Sequence, residues 1–121
     1  MKTLKDFTDL QRTKFKVCKK IINILNIYGF EYKIGGSFVK FITDNANDFH
    51  DIDIIVPDSE LNNILFQVKL EINPKQVSDL DSKYHYFRII CDNRISVTIM
   101  SDVNKVVDLN QTFMNMQLVK S

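Results

Sequence analysis

The sequence predicts a small α/β (α+β) fold, in which helices pack against a mixed β-sheet. Apolar residues recur at helical spacing near the start of the chain and again after Pro57, while shorter aliphatic and alternating runs lie between and beyond them. A hydrophobic period that changes between 3.6 and 2 indicates helices that alternate with strands. We therefore expect the helices to bury their apolar sides against the sheet.

Composition limits the classes of protein to which the chain can belong. Its 121 residues are enough for one core, and we expect a single domain over residues 1–121. A net charge of +1 argues against a strong, sequence-independent hold on nucleic acid. No run approaches the roughly 20 apolar residues of a membrane span, and the N-terminus lacks the apolar run of a signal peptide. Cys18 and Cys91 lie far apart, as free thiols do in a reducing compartment. We expect a cytoplasmic protein.

Residues 4–28 form the first predicted helix. Phe15, Cys18 and Leu25 follow helical spacing on one side, and lysines cluster on the other, where they indicate a solvated face. Gly29 is expected to end this helix, because glycine readily adopts the left-handed conformation found after many helices.

A short strand and a glycine turn come next. Residues 30–34 alternate as a strand does, and Gly35, Gly36 and Ser37 follow, with Ser37 opening a short helix. A backbone without Cβ can approach a phosphate closely, and the amides at a helix start favour an anion. The alternative interpretation is a tight turn that needs a positive φ.

Asp51 and Asp53 stand one residue apart in an aliphatic run that Pro57 ends. Residues i and i+2 of a strand point to one face, so both carboxylates project side by side, about 6–7 Å apart at the backbone. Such a pair is costly unless a cation or a proton lies between its members. Mg²⁺ takes oxygen ligands and usually completes its shell with water and substrate phosphates. We expect a site for Mg²⁺ or Mn²⁺ at one edge of the sheet.

The second half of the chain adds one helix and a hairpin. Leu61, Ile64 and Val68 define the buried side of a helix after Pro57. Further elements are predicted in chain order as a brief edge strand at 70–72, a loop at 75–83, and strands at 84–91 and 94–100 that Asp92-Asn93 joins into a hairpin. A short helix is predicted from Ser101, and residues 112–119 fit either a strand or a helix.

The order of the two motifs resembles the polymerase-β-type nucleotidyltransferase superfamily, particularly its small adenylyltransferase and abortive-infection-like branch. In that superfamily a Gly-Gly or Gly-Ser pair follows the first strand, and an Asp-x-Asp lies on the strand after the next helix. Gly35-Gly36-Ser37 and Asp51-Ile52-Asp53 match this order. The resemblance covers residues 30–57, about a quarter of the chain.

The resemblance implies a small, metal-dependent nucleotidyltransferase with a nucleotidyltransferase-like fold. It would bind Mg²⁺ (or Mn²⁺) with an NTP such as ATP, and transfer a nucleotidyl group, an adenylyl group if the donor is ATP, to a hydroxyl. Asp51 and Asp53 would be catalytic metal ligands, and Gly35, Gly36 and Ser37 would hold the β,γ-phosphates. The acceptor, a small molecule or a protein, is not specified. Its site could come from a protein partner or from a second copy of the chain.

Two departures from the superfamily favour an alternative function. Members often carry a basic residue in the loop at 43–48, and this loop has none. They also carry a third carboxylate on a late strand, where this chain has Ser96 or Thr98, with Asp92 and Asp102 flanking the strand as substitutes. The alternative is a catalytically degenerate nucleotidyltransferase fold that acts as a binding, antitoxin-like or inhibitory module. Chance resemblance on an unrelated α+β domain is a third possibility.

Overall fold

The structure, a computed structural model, describes residues 2–43 and 46–104. Its helices and strands are, in chain order, α1 (Asp9–Ile27), β1 (Lys33–Gly35), α2 (Ser37–Thr43), β2 (Ile52–Val56), α3 (Leu61–Glu71), β3 (Tyr86–Cys91) and β4 (Arg94–Ser101). Short 3₁₀ turns lie at Leu4–Asp6, Asp58–Glu60, Pro74–Gln76 and Asp102–Asn104. Within the described ranges, no helix is both long and apolar enough to cross a membrane.

The four strands form one mixed sheet in the order β1-β2-β4-β3. Strand β2 pairs antiparallel with β1 and parallel with β4, and β3 pairs antiparallel with β4 as the predicted hairpin. The α/β (α+β) prediction is therefore confirmed. The expected position at an edge of the sheet is wrong for the carboxylate strand, because β2 is flanked on both sides.

The strand register gives the sheet one apolar face and one polar row. Ile34, Ile54, Ile99 and Phe87 are aligned across the four strands, and all are fully buried. The adjacent register position on the opposite face aligns Gly35, Asp53, Thr98 and Arg88. Since successive residues of a strand point to opposite faces, the core and the candidate site lie on opposite sides of one sheet.

All three helices contribute to the core on the apolar face. Its helical members include Phe15, Cys18, Ile22 and Leu25 of α1, Phe38, Phe41 and Ile42 of α2, and Leu61, Ile64 and Val68 of α3. Phe38 and Phe41 contact Phe49, with ring centroids 4.9 and 5.0 Å away. Phe49 lies immediately before the predicted site, so this aromatic packing anchors the entry to β2.

The start of the first helix differs from the prediction. The chain makes a 3₁₀ turn at Leu4–Asp6, and α1 begins only at Asp9. Thr8 caps α1: its hydroxyl accepts a hydrogen bond from the Gln11 amide, and the Gln11 side chain accepts one from the Thr8 amide. This capping box ends the preceding segment and fixes the helix start. Gly29 follows α1 with a φ of +71°, as predicted for a helix stop.

Two predicted strands also change. Strand β1 covers Lys33–Gly35 rather than 30–34, so the first glycine belongs to the strand. The edge strand at 70–72 is wrong, because α3 continues to Glu71 and the Ile72 amide donates to the Val68 carbonyl at 2.9 Å. Asn73 precedes a proline and therefore disfavours a further helical turn.

The predicted loop at 75–83 is partly structured. It begins in the 3₁₀ turn Pro74–Gln76, and isolated β-bridges join Val77 to Ile89 and Asp81 to Tyr86. Beyond β4, the Ser101 hydroxyl accepts from the Val103 amide at the start of Asp102–Asn104. The rest of that predicted helix and residues 112–119 lie outside the described residues.

Candidate functional site

Asp51 and Asp53 lie together at the beginning of β2. Asp51 directly precedes the strand, Asp53 is its second residue, and both are half-buried. Burial, the neighbouring Asp51 charge and a hydrogen bond with Asp51 raise the pKa of Asp53 to about 7, against the opposing effect of Arg88. A raised pKa of this kind is the expected cost of placing two carboxylates side by side. Ile52, Ile54 and Val56 alternate with them and are buried, as predicted.

The glycine turn packs directly against this pair. Gly35 is aligned with Asp53 across the sheet, and Gly36 has a φ of +74°. A Cβ placed on Gly36 would lie 2.2 Å from Asp53 Oδ2, well inside van der Waals contact. The interpretation as a tight turn with a positive φ is therefore confirmed at Gly36, and the missing Cβ leaves room for the Asp53 carboxylate. Phosphate binding by this turn stays a prediction.

Hydrogen bonds from other parts of the chain hold the segment that leads into β2. The Ser37 hydroxyl accepts from the His50 amide at 3.3 Å, which ties the start of α2 to the residue before Asp51. Asp48 accepts from the Gln11 side chain and from the Phe49 amide, and these two bonds lower the pKa of Asp48. The entry to the carboxylate strand is thus fixed by α1 and α2.

Basic residues from outside the loop reach this segment. Lys14 of α1 donates to the His50 carbonyl, and Lys2 donates to the carbonyls of Phe41 and Ala46. The loop has no basic residue of its own, as the sequence indicated. The lysines that approach it bind backbone oxygens rather than the carboxylates.

Thr98, one of the two residues predicted to stand in place of a third carboxylate, lies beside the pair. It is aligned with Asp53 in the parallel register, and its hydroxyl donates to Asp51 Oδ2. Ser96 is buried and falls at a register shift of the β3–β4 pairing, where Ile89 pairs with Val97 and Ile90 with Ile95. Of the two candidates, the structure therefore selects Thr98.

Neither flanking aspartate joins the pair. Asp92 lies in the hairpin turn with a φ of +52°, and it is exposed. Asp102 lies beyond the other end of β4, where it accepts from the Asp58 amide at 3.2 Å. In the described part of the chain, no group of three His, Cys, Asp or Glu side chains is arranged to hold a metal ion.

Arg88 is the site residue that the sequence did not reveal. It pairs with Thr98 across the β3–β4 ladder and lies over the Tyr86 ring, 4.8 Å from its centroid. Its charge acts to lower the pKa of Asp53. The alternation of β3 is the signal that places Arg88 on the face opposite Phe87, but only the strand order and register bring it beside Thr98.

The donor set fits one hard cation better than two. Mg²⁺ is commonly bound by one or two carboxylates, with waters and substrate phosphates in the remaining positions. Asp51 and Asp53 meet this requirement. A second cation would find the neutral hydroxyl of Thr98 where a third anionic ligand is needed.

A cavity of about 450 Å³ lies along the sheet from the carboxylates. It is lined mainly by apolar side chains, including Phe30, Tyr32, Ile55 and Pro57. Ile55 is two residues from Asp53 and so lies on the same face of β2. Asp102 lines this cavity, but Asp51, Asp53 and the glycine turn do not.

Comparison with known proteins supports the fold. No protein-family model matches the chain, and no curated protein matches its sequence. Among solved structures, it is similar to the crystal structure of a "putative nucleotidyltransferase" from Thermotoga maritima, with a TM-score of 0.56 and 18% sequence identity. The match covers 90% of this chain and 86% of that one. The chain therefore has a nucleotidyltransferase-like fold.

Replacing Gly36 with alanine should disturb the carboxylates as well as the turn. Gly36 and Gly29 both have positive φ, but a Cβ on Gly29 would meet no atom within 4 Å. The substitution Gly29→Ala should therefore cost only the left-handed strain, about 1–2 kcal/mol. Gly36→Ala should cost more, because Asp53 must also move. Urea unfolding of both variants measures the difference, and equal losses of stability would contradict the close approach.

Asp53 should make stability fall as pH rises in the absence of divalent cations. Its folded-state pKa of about 7 lies above its ordinary value of 3.8, so folding favours the protonated form. This contribution is fully present below about pH 4 and is lost as pH rises through about 7. In EDTA, the Tm of the wild type should fall between about pH 5 and pH 8, by roughly 5 °C for each 1 kcal/mol lost.

Two variants provide the comparison for this pH dependence. Asp53→Asn cannot ionise and should flatten the curve. Asp48→Asn should lower Tm almost equally across this range, because the lowered pKa of Asp48 confines its titration to more acidic pH. Parallel curves for the wild type and Asp53→Asn would show that Asp53 is not the group responsible.

Proposed function

We propose that this protein is a small metal-dependent nucleotidyltransferase that transfers a nucleotidyl group from an NTP to a hydroxyl acceptor. The observation that carries the proposal is the packing of the Gly36 turn against Asp53, beside Asp51, on one face of a nucleotidyltransferase-like sheet. Each motif alone has simpler explanations. Together they support a site in which the backbone of the turn would bind phosphate beside carboxylates that would bind a cation.

The roles of the residues follow from this geometry. Asp51 and Asp53 would hold Mg²⁺ or Mn²⁺, which when bound would neutralise phosphate charge. The backbone of Gly35, Gly36 and Ser37 would hold the β,γ-phosphates of ATP or another NTP through its amide donors. In this way Asp53 would bind the cation of a metal–nucleotide complex, and Gly36, which contacts Asp53, would bind its phosphates.

The transfer step is a displacement at phosphorus. The acceptor hydroxyl oxygen forms a bond to the α-phosphorus, the bond to the bridging oxygen breaks, and pyrophosphate leaves with the electron pair. The hydroxyl proton is lost to solvent. The protein would contribute positioning and charge complementarity, which supply most of the catalysis in phosphoryl transfer.

Nucleotide with metal should stabilise the folded protein. A ligand at 100 times its Kd adds about 2.7 kcal/mol by mass action, so Mg²⁺ or Mn²⁺ with ATP should raise Tm clearly. The double variant Asp51→Asn/Asp53→Asn should lose this shift yet remain folded, because it also removes like-charge repulsion. Differential scanning fluorimetry measures both effects. A response retained by the double variant would place the binding site elsewhere.

One observation favours binding without transfer, in an antitoxin-like or inhibitory role. Thr98 contributes a hydroxyl where a third carboxylate would share a second cation and assist the attacking hydroxyl. On this second candidate function, nucleotide binds but transfer is slow or absent with generic acceptors.

Installing an acid at this position separates the two functions. Thr98→Asp should bind Mn²⁺ about tenfold more tightly, because it adds a charged ligand beside Asp51. Ser96→Asp is the matched control and should only lower stability, since Ser96 is buried at the register shift. Mn²⁺ titration and labelled-nucleotide transfer are measured for wild type and both variants. Robust metal-dependent transfer by the wild type would eliminate the second candidate function.

A further inference from the structure

Arg88 places a fixed positive charge beside the candidate site, two strands from Asp53. Neighbouring strands lie about 4.8 Å apart, so the backbones of Asp53 and Arg88 are roughly 10 Å apart across Thr98. Gly36 contacts Asp53 from the β1 side, and Arg88 approaches from the β3 side. The carboxylates thus lie between a glycine turn and a guanidinium group on one face of the sheet.

The guanidinium of Arg88 is only partly used by the protein. Its Nε is buried and has no hydrogen-bond partner among the described residues, and the group makes no ion pair within them. It lies over the Tyr86 ring. A buried donor left unpaired costs free energy, so the protein does not hold this side chain in place through its Nε. The side chain as a whole is only half-buried, and a ligand would meet it at the two terminal nitrogens of the guanidinium group.

Arg88 makes no direct ion pair with the carboxylates. No guanidinium nitrogen lies within 4.0 Å of a carboxylate oxygen of Asp51 or Asp53. Thr98, the residue between them, directs its hydroxyl to Asp51 instead. Both carboxylates therefore keep free lone pairs that can bind a cation. The guanidinium group of Arg88 keeps free N–H donors that can bind an anion.

The geometry of a guanidinium fork matches phosphate. Arg presents parallel N–H donors that bind two oxygens of one phosphate group, and stacking on an aromatic ring holds the fork in a fixed plane. Tyr86 provides such a ring, at 4.8 Å. A bound nucleotide would carry its phosphates into the space between the Gly36 turn and this fork.

We propose that Arg88 binds a phosphate group of the nucleotide whose cation is held by Asp51 and Asp53, and that the site takes one divalent cation. The proposal rests on the proposed function and adds a residue and a metal stoichiometry to it. One divalent cation balances two carboxylates, and Arg88 then supplies the remaining positive charge for the phosphates. A second cation would have neutral Thr98 as its ligand and Arg88 as a like-charged neighbour.

The test compares Arg88→Gln and Arg88→Lys with Arg94→Gln. Arg94 is the matched control, because it is an exposed arginine at the hairpin end of β4. Electron paramagnetic resonance counts the Mn²⁺ ions bound per chain, and calorimetry gives the affinity for inorganic tripolyphosphate with Mn²⁺. The Tm of each variant establishes that it is folded.

We expect Arg88→Gln to have different effects on the affinity for Mn²⁺ alone and on the affinity for Mn²⁺–tripolyphosphate. The wild type should bind one Mn²⁺, and Arg88→Gln should bind Mn²⁺ alone at least as tightly, because a nearby positive charge is gone. The same variant should lose about tenfold or more in affinity for Mn²⁺–tripolyphosphate. Arg88→Lys should lose less, since it keeps the charge but not the fork. Arg94→Gln should match the wild type. Misfolding could not strengthen one affinity and weaken the other.

Other outcomes separate the two proposals. Two Mn²⁺ per wild-type chain, or equal tripolyphosphate affinity in Arg88→Gln and Arg94→Gln, overturns the role of Arg88 whatever the transfer activity. Arg88-dependent binding without labelled-nucleotide transfer supports this role and overturns the transferase function. A wild type that binds neither Mn²⁺ nor Mn²⁺–tripolyphosphate overturns both.

Discussion

The site depends on the cost of keeping two carboxylates side by side in a partly buried position. Asp51 and Asp53 repel each other, and burial together with this repulsion raises the pKa of Asp53. Two contacts with the surrounding chain reduce the free-energy cost of this arrangement. Gly36 leaves space for an Asp53 oxygen, and the Thr98 hydroxyl donates to Asp51. Neither contact neutralises the pair. The structure therefore stabilises the carboxylates as acceptors without occupying them fully, which is the property that a cation-binding site requires.

Local periodicity made much of this site predictable. Residues i and i+2 of a strand share a face, so Asp51, Asp53 and the alternating isoleucines could be assigned to opposite sides of β2 from the sequence alone. The glycine turn could be placed near them because its motif resembles a known arrangement, and the structure puts Gly36 against Asp53. The two-residue periodicity of a strand could not distinguish Ser96 from Thr98 as the residue beside the carboxylates, since both lie on one side of an alternating strand. Only the parallel register of β2 and β4 aligns Thr98 with Asp53.

The start of α1 is set by a local capping box, but the other failures of prediction came from features that depend on distant parts of the chain. Arg88 belongs to the site because β3 lies beside β4 and β4 beside β2, an order that no local pattern encodes. The register shift near Ile89 further changes which residues face each other. Residues 70–72 could have formed a strand only with a pairing partner, and without one α3 continued to Glu71. The existence of the helices, which need no pairing partner, was predicted more reliably than that of the shortest strands.

The similarity to a solved structure shows the fold, and a fold at 18% identity does not fix the chemistry. Any chemistry would depend on the row that crosses the polar face of the sheet. In that row Gly35 is aligned with Asp53, and two residues differ from the acidic site that the resemblance predicted: Thr98 presents a neutral donor, and Arg88 adds a positive charge. The two differences act in the same direction, because each makes a second cation less favourable and an anionic ligand more favourable. On the proposed function, these two residues would adapt the polar face to a phosphate-bearing ligand with one cation, because Arg88 would supply a positive charge that a second cation would otherwise provide.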